Sequence, residues 1–427
     1  MLDIKLIREN SKLVKENIKK RFQKDKLKYV DEVLEKDKQY RKLLYDMEQL
    51  KHKRNLVSKE INELRKEGKN IKKKVLEAKK IPEKLKGKEE KVIKLKQEIK
   101  ELLCKIPNII HNSVPLGEDH TKNVEIEKIG KPKKFNFDVK SHVELTENLG
   151  IVDFDASARV SGNGFFYLKG DLARLNQALI RFGIDFMLKK GYLFVEPPLM
   201  IREEVLNGVY SHEEIEEMSY KVDGEDLYLI ATSEHPLIGM FINQTVDAEE
   251  LPLKICSYSQ CFRKEIGSHG IDEKGLFRTH QFNKVEIVVL CEAKDSYKFY
   301  DEMLNISKDI FKQLEIPTRV LECCSGDLGD LKAKSCDLEY WSPRKKDYNE
   351  FCSLTNMEEA QARRLNIRAD DKGNKFYVHT LNNTAIATSR AMVAILENNQ
   401  TKDGEIIVPK VLQKYLGGLK IIKKRKR

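Results

Sequence analysis

Over the first hundred residues the apolar positions recur at steps of three and four. One run is Leu43, Met47, Leu50, Val57, Ile61 and Leu64, broken only at Arg54. A second is Ile71, Val75, Ala78, Leu85, Val92, Ile99, Leu103 and Ile106, broken at Pro82, Glu89 and Lys96. This is the rhythm of a two-helix seam. Glu67-Gly68-Lys69-Asn70 between the runs has the composition of a tight reversal. The pattern predicts an antiparallel helical hairpin whose first helix covers 27–65, roughly 60 Å at about 1.5 Å per residue. Pro82 and Gly87 are expected to kink or fray the second helix. A shorter amphipathic helix is expected at 3–22, with Leu6, Ile7, Leu13, Val14 and Ile18 on its apolar face.

The helical period stops at 107. Residues 107–125 carry Pro, Gly and Asn without any period and are expected to be linker. A body then starts near Lys131. Strands are expected at 164–169, 228–231, 254–265, 277–290, 320–323 and 333–341. Helices are expected at 172–190 (capped by Asp171 and stopped by Gly191-Tyr192), 296–314 and 391–398. Residues 193–200 are extended, and Pro197-Pro198 suits an edge strand or a subunit contact. Strands segregated from helices imply an α+β body on an antiparallel sheet. No Gly-rich phosphate loop opens a helix, so a nucleotide here would be held by side chains on the sheet.

One strand pair has an unusual face. Arg278, His280, Phe282, Lys284 and Glu286 alternate, and Arg263 and Glu265 do the same on the preceding run. Period two places each set on one face. Two Arg, two Glu and a Phe make a poor core but a good floor for phosphates, a flat base and an amine. The loop between, 266–276, is left free to move.

Charge sharpens the division. The chain of 427 residues has net charge +11; residues 1–105 hold 34 Lys and Arg against 19 Asp and Glu, +15 in all, so the remainder sums to −4. A basic hairpin on a mildly acidic body suits a polyanion partner, although a solvated helical face or a dimerising coiled coil has the same composition. The eight Cys have no C-x-x-C spacing, which favours reduced, buried thiols over a zinc site. No apolar run is long enough to span a membrane, and the charged start MLDIKLIREN is unlike a signal peptide. Both point to a cytoplasmic protein.

Phe262-Arg263-x-Glu265 followed by Arg278-x-His280-Gln281-Phe282-x-Lys284-Val285-Glu286 resembles the second signature motif of class II aminoacyl-tRNA synthetases. Helix 172–190 with Gly191-Tyr192 and Pro197 resembles the first, and Asn382 to Arg390 with its following helix resembles the third. The hairpin, Thr232-Ser233-Glu234 and Gln361-Ala362-Arg363-Arg364 are similar to the seryl-tRNA synthetases, as are MLDIKLIREN and IPNIIHNSVPLG. Gly164, Leu354, Thr355 and Met357 depart from that pattern; Glu350, Ser353 and Asn356 keep to it.

The resemblance implies the following. A class II catalytic body covers 131–419, behind a tRNA-binding arm at 1–106 and a linker at 107–130, with a basic tail at 420–427. The enzyme is a homodimer that uses ATP and Mg²⁺ to activate L-serine and charges tRNA(Ser), and tRNA(Sec) where the organism has it. The arm reads the long variable arm of the tRNA, and loop 266–276 meets its acceptor end. Arg263 and Arg390 are the catalytic pair. Thr232, Ser233, Glu234, Glu286 and Thr384 bind serine. Arg263, Lys264, Glu265, Arg278, Thr279, Phe282, Glu350, Ser353 and Arg390 bind ATP, with Glu350 and Ser353 also holding Mg²⁺. His235 and His280 are assigned structural roles, because the serine carboxylate is already ionised and needs no general base. The tail adds tRNA affinity, solubilises the chain or acts as a nuclear signal.

Other readings of the same residues are a ligase that loads a small amino acid onto a carrier protein, and a non-catalytic paralogue. A zinc-dependent serine enzyme would need Glu350 with Cys352 or Cys336.

Overall fold

A computed structural model describes residues 1–265 and 275–424. Most of loop 266–276 and the last three residues of the tail lie outside the described residues. The chain divides into two compact units, Leu2–Pro107 and Asn108–Arg427, with Met1 counted to the second.

In the first unit, helices Leu27–Lys66 and Lys72–Lys105 form the expected antiparallel pair. Gly68 reverses the chain at φ +69°, and the Asn70 side chain accepts from the Lys72 amide at 3.0 Å. Met47, Val57, Ile81 and Leu85 are the buried seam, flanked by Leu50, Ile61, Ala78 and Val92. Lys36–Glu98, Lys53–Glu77, Lys74–Glu60 and Lys88–Asp46 bridge the helices at 2.6–2.7 Å. Exposed pairs of this kind fix register more than they add stability. Pro82 and Gly87 both lie inside an unbroken helix, contrary to the expected fraying. Burial of Ile81 and Leu85 on either side of Pro82 holds that turn against the partner helix and offsets a local cost of about 3 kcal/mol. The helix expected at 3–22 is two helices, Ile4–Glu9 and Ser11–Lys20; Asn10 ends the first and caps the second through the Leu13 amide.

The second unit is built on an eight-stranded sheet. Its order is Val124–Ile129, Thr318–Glu322, Lys334–Ser342, Asp347–Glu358, His379–Ala387, Gln281–Cys291, Leu253–Phe262 and Leu193–Phe194, antiparallel throughout except for the last pair. Helices Gly170–Lys189, Ser296–Gln313 and Thr388–Asn398 pack on it around one large apolar core. Leu193–Phe194 is an edge strand, and Pro197-Pro198 follow it outside the ladder, where a missing N–H costs nothing.

Several expectations change. The segment expected as linker is part of this unit: Asn108 Nδ2 donates to Leu331 O and Met357 O at 3.0 Å, and Val124–Ile129 forms the other sheet edge. Its order comes from distant partners, which leave no periodic trace. Asp171 does not cap the Gly170–Lys189 helix; it sits in the first turn and pairs with Arg174, while Lys169 holds the cap position. The Thr388–Asn398 helix starts early enough to put Arg390 in its first turn. The twelve-residue strand Asp347–Glu358 has no clear alternation, because it carries polar residues such as Glu350 and Ser353.

The motif strands are also shorter than their alternation suggested. The first ends at Phe262 and the second starts at Gln281. Arg263, Glu265, Arg278 and His280 therefore lie beyond the ladder, and Glu265 has φ +48°. Only Phe282, Lys284 and Glu286 keep the period-two face.

Candidate active site

The motifs converge on one cavity of about 410 Å³ in the second unit. It has a carboxylate end and an arginine end.

At the carboxylate end, the Gln281–Cys291 and His379–Ala387 strands place Glu286 opposite Thr384. Thr384 Oγ1 donates to Glu286 Oε2 at 3.1 Å, and Lys284 Nζ lies 2.7 Å from the same oxygen. Glu286 is 1% exposed. Glu234 opens the short helix Glu234–Gly239, and its Oε1 accepts from Gln361 Nε2 at 2.8 Å and Asn382 Nδ2 at 3.0 Å. Gln361 is in turn fixed by Thr380 at 2.6 Å. Burial, then the charge of Glu286, pushes the Glu234 carboxyl up to about 7. Thr232 lines the cavity and accepts from the Glu234 amide at 3.2 Å.

At the other end, Arg263 follows directly on the Leu253–Phe262 strand. Its Nε donates to Ala231 O at 3.3 Å, and its guanidinium lies 5.3 Å from the centre of the Phe282 ring. Arg390 is 2.9 Å from Glu350 and lies over Phe277 at 5.2 Å. The charge of Arg390 holds the Glu350 carboxyl below its usual range, whereas burial and the charge of Glu350 raise that of Asp337. Arg278 is half exposed and 3.9 Å from Glu265. Thr279 is buried, donates to Gln281 O at 3.1 Å and lines the cavity, as do Glu265 and Ser353.

Of the site residues named from the sequence, only Ser233 and Lys264 are not on the cavity wall. Ser233 is fully buried. Lys264 reaches outward to Glu216 O at 3.3 Å. His235 is packed edge-on against Tyr210, and burial holds it neutral. His280 Nδ1 is 3.0 Å from Arg263 O and from the Tyr220 hydroxyl, and its ring leaves no room for a side chain at Gly164.

Lys284, Phe277, Asp337 and Asn382 also line the cavity and had no assigned role. Lys284 was legible, since it alternates with Phe282 and Glu286. The others were not. Among the described residues the thiol–carboxylate group that gathers within 4.8 Å is Cys323, Asp327 and Asp337, not Glu350 with Cys352 or Cys336. Burial pushes the Cys336 thiol up to about 12 and raises that of Cys352 well above the usual thiol range.

The family model of the tRNA synthetase class II core domain (G, H, P, S and T) matches residues 217–399. That span runs from before Glu234 to beyond Arg390 and holds the central strands of the sheet and most of the cavity wall, which match a class II aminoacyl-tRNA synthetase core. The model of the seryl-tRNA synthetase N-terminal domain matches residues 1–110. The serine–tRNA ligase of Methanocella arvoryzae is 43% identical over 99% of this chain and 100% of its own length. Seryl-tRNA synthetase from Pyrococcus horikoshii, solved in complex with ATP, superimposes with a TM-score of 0.95 at 43% identity, covering all of both chains. The cytoplasmic serine–tRNA ligase of Naegleria fowleri, in complex with AMP, gives 0.89 at 35% identity over 100% of this chain and 99% of its own. The chain belongs to the seryl-tRNA synthetase family.

Proposed function

We propose that this chain activates L-serine with ATP and transfers the seryl group to tRNA(Ser), and to tRNA(Sec) where one is present. The observation that carries the reading is the pairing of a buried hydroxyl-and-amine site, Glu286–Thr384 with Glu234, to an arginine cluster across one cavity.

The serine ammonium binds Thr232 and the ionised Glu234, and its hydroxyl binds Glu286 beside Thr384. Arg263 draws the serine carboxylate to the α-phosphate of ATP, a task suited to a planar, bidentate cation. A carboxylate oxygen attacks the α-phosphorus, the bond to the bridging oxygen breaks, and pyrophosphate leaves. Phe282 stacks on the adenine and Glu265 accepts from its amino group. Arg278 and Arg390 hold the phosphates, Arg390 aided by the partial positive charge of its helix end. The oxygen donors Glu350 and Ser353 fit Mg²⁺, a hard cation that neutralises phosphate charge when bound. Glu350 and Arg390 are paired to each other at 2.9 Å, so ATP binding exchanges that pair for substrate contacts. In the second step the ribose hydroxyl of the tRNA attacks the seryl carbonyl, AMP leaves, and an adenylate phosphate oxygen takes the proton.

Residues 1–106 are the arm that grips tRNA; the +15 charge over 1–105 and the match to the N-terminal domain support this. The body works as a homodimer in the cytoplasm. Exposed Leu188, Leu193 and Met200 on and beside the Leu193–Phe194 edge support a subunit contact there. Among the described residues no helix is long and apolar enough to cross a membrane. The tail, 420–427, adds tRNA affinity.

Deleting 30–103 tests the division of labour and separates it from carrier-protein loading. Serine-dependent pyrophosphate exchange is retained and tRNA charging is lost. Equal loss of both overturns the assignment of the arm.

A further inference from the structure

The chemistry above leaves a buried ionisable pair near the cavity unused. His142 and Glu397 are 3% and 1% exposed. His142 opens the helix His142–Leu149, whose start is locked by a reciprocal capping box between Ser141 and Glu144. Its Nδ1 lies 3.4 Å from Glu397 Oε1, and its Nε2 accepts the Leu276 amide hydrogen at 3.2 Å. Because Nε2 accepts, Nδ1 carries the ring hydrogen and donates to Glu397. Glu397 closes the helix Thr388–Asn398 whose first turn holds Arg390. Its second oxygen accepts from Ser342 Oγ at 2.6 Å, and Arg344 Nε is 3.6 Å from the first. Burial opposes the charge on Glu397, but these hydrogen bonds hold its carboxyl below the usual range.

The other end of the relay is the approach to the cavity. Gly275 has φ +147°, and a Cβ there would sit 2.4 Å from His142 Nε2, so the chain passes the ring only as glycine. Leu276 is fully buried. The next two residues, Phe277 and Arg278, line the arginine end, and Phe277 carries the Arg390 guanidinium on its ring. These residues precede the Gln281–Cys291 strand, so no ladder holds them. The Leu276 amide is the point at which the buried relay grips them.

We propose that His142 is a positioning residue for adenylation: by accepting the Leu276 amide it fixes Phe277 and Arg278 at the arginine end of the cavity. It touches no substrate, and Glu397 sets its tautomer. The proposal rests on the assignment of that end to ATP.

The test is serine-dependent pyrophosphate exchange by the full chain, with KM measured separately for ATP and serine. His142→Leu keeps the bulk and removes the acceptor. His142→Gln offers an amide oxygen to the Leu276 amide. The expected result is an ATP KM raised about tenfold in His142→Leu, one lost hydrogen bond converted to a ratio. Serine KM stays within about twofold, and His142→Gln recovers most of the ATP KM. KM does not depend on the fraction of active protein, so partial unfolding does not mimic this split. Should His142→Leu yield no folded protein, Gly275→Ala, which pushes the amide off the ring, is expected to show the same ATP-selective rise. Unchanged KM values, equal rises for both substrates, or no difference between Leu and Gln overturn the proposal. Absence of serine-dependent exchange in the unaltered protein overturns the ATP assignment instead.

Discussion

The two ends of the cavity are built partly on one strand, yet they satisfy their charges differently. At the carboxylate end Glu286 and Glu234 are buried, and each is held by two neighbours, Glu286 by Thr384 and Lys284 and Glu234 by Gln361 and Asn382. A small polar substrate enters a site that already has its shape. At the arginine end Arg278 stands 3.9 Å from Glu265, and Arg390 is paired at 2.9 Å with Glu350, the residue proposed to hold Mg²⁺ beside ATP. On the proposed assignment that end trades its own ion pairs for phosphate and metal. The difference follows from what each end binds. Serine brings one ammonium and one hydroxyl, which fixed groups can match in advance. A triphosphate brings several charges that the free protein has to neutralise with itself.

The largest effect is expected where the two ends meet. Arg263→Ala removes the cation proposed to bridge serine carboxylate and α-phosphate, and exchange kcat/KM is expected to fall about 10³-fold. A fall of less than tenfold would make Arg263 a structural residue of the Phe282 face. A smaller effect isolates the carboxylate end. Burial and then the charge of Glu286 push the Glu234 carboxyl up to about 7, which leaves it ionised above that pH and protonated below it. Its attraction for the serine ammonium is therefore lost as pH falls. The kcat/KM for serine is expected to drop about tenfold from pH 8 to pH 6, with the inflection absent in Glu234→Gln. A flat profile in the unaltered protein would place the charge on another group.

The same contrast governs what was legible beforehand. The hairpin was readable because its seam is local and repetitive, and Gly68 and Asn70 do mark its turn. Phe282, Lys284 and Glu286 were readable because they alternate on a true strand. Arg263, Glu265 and Arg278 were found by motif, and the alternation assigned to them was misleading, since the ladder stops at Phe262 and resumes at Gln281. Asp347–Glu358 is not legible as a strand because its polar residues interrupt the hydrophobic alternation. The Gln361 and Asn382 bonds to Glu234, and that of His142 to Leu276, join residues more than a hundred positions apart. No local pattern announces such contacts; only the folded sheet brings them together.

The choice of amino acid is proposed to be made at the carboxylate end. The decisive measurement is pyrophosphate exchange with serine and with alanine, for the unaltered protein and Glu286→Gln. A site whose buried Glu286 and Thr384 await a hydroxyl should favour serine over alanine by about 10³-fold or more, and Glu286→Gln should shrink that ratio by about 10²-fold. Equal exchange with serine and alanine, or a ratio untouched by Glu286→Gln, would contradict it.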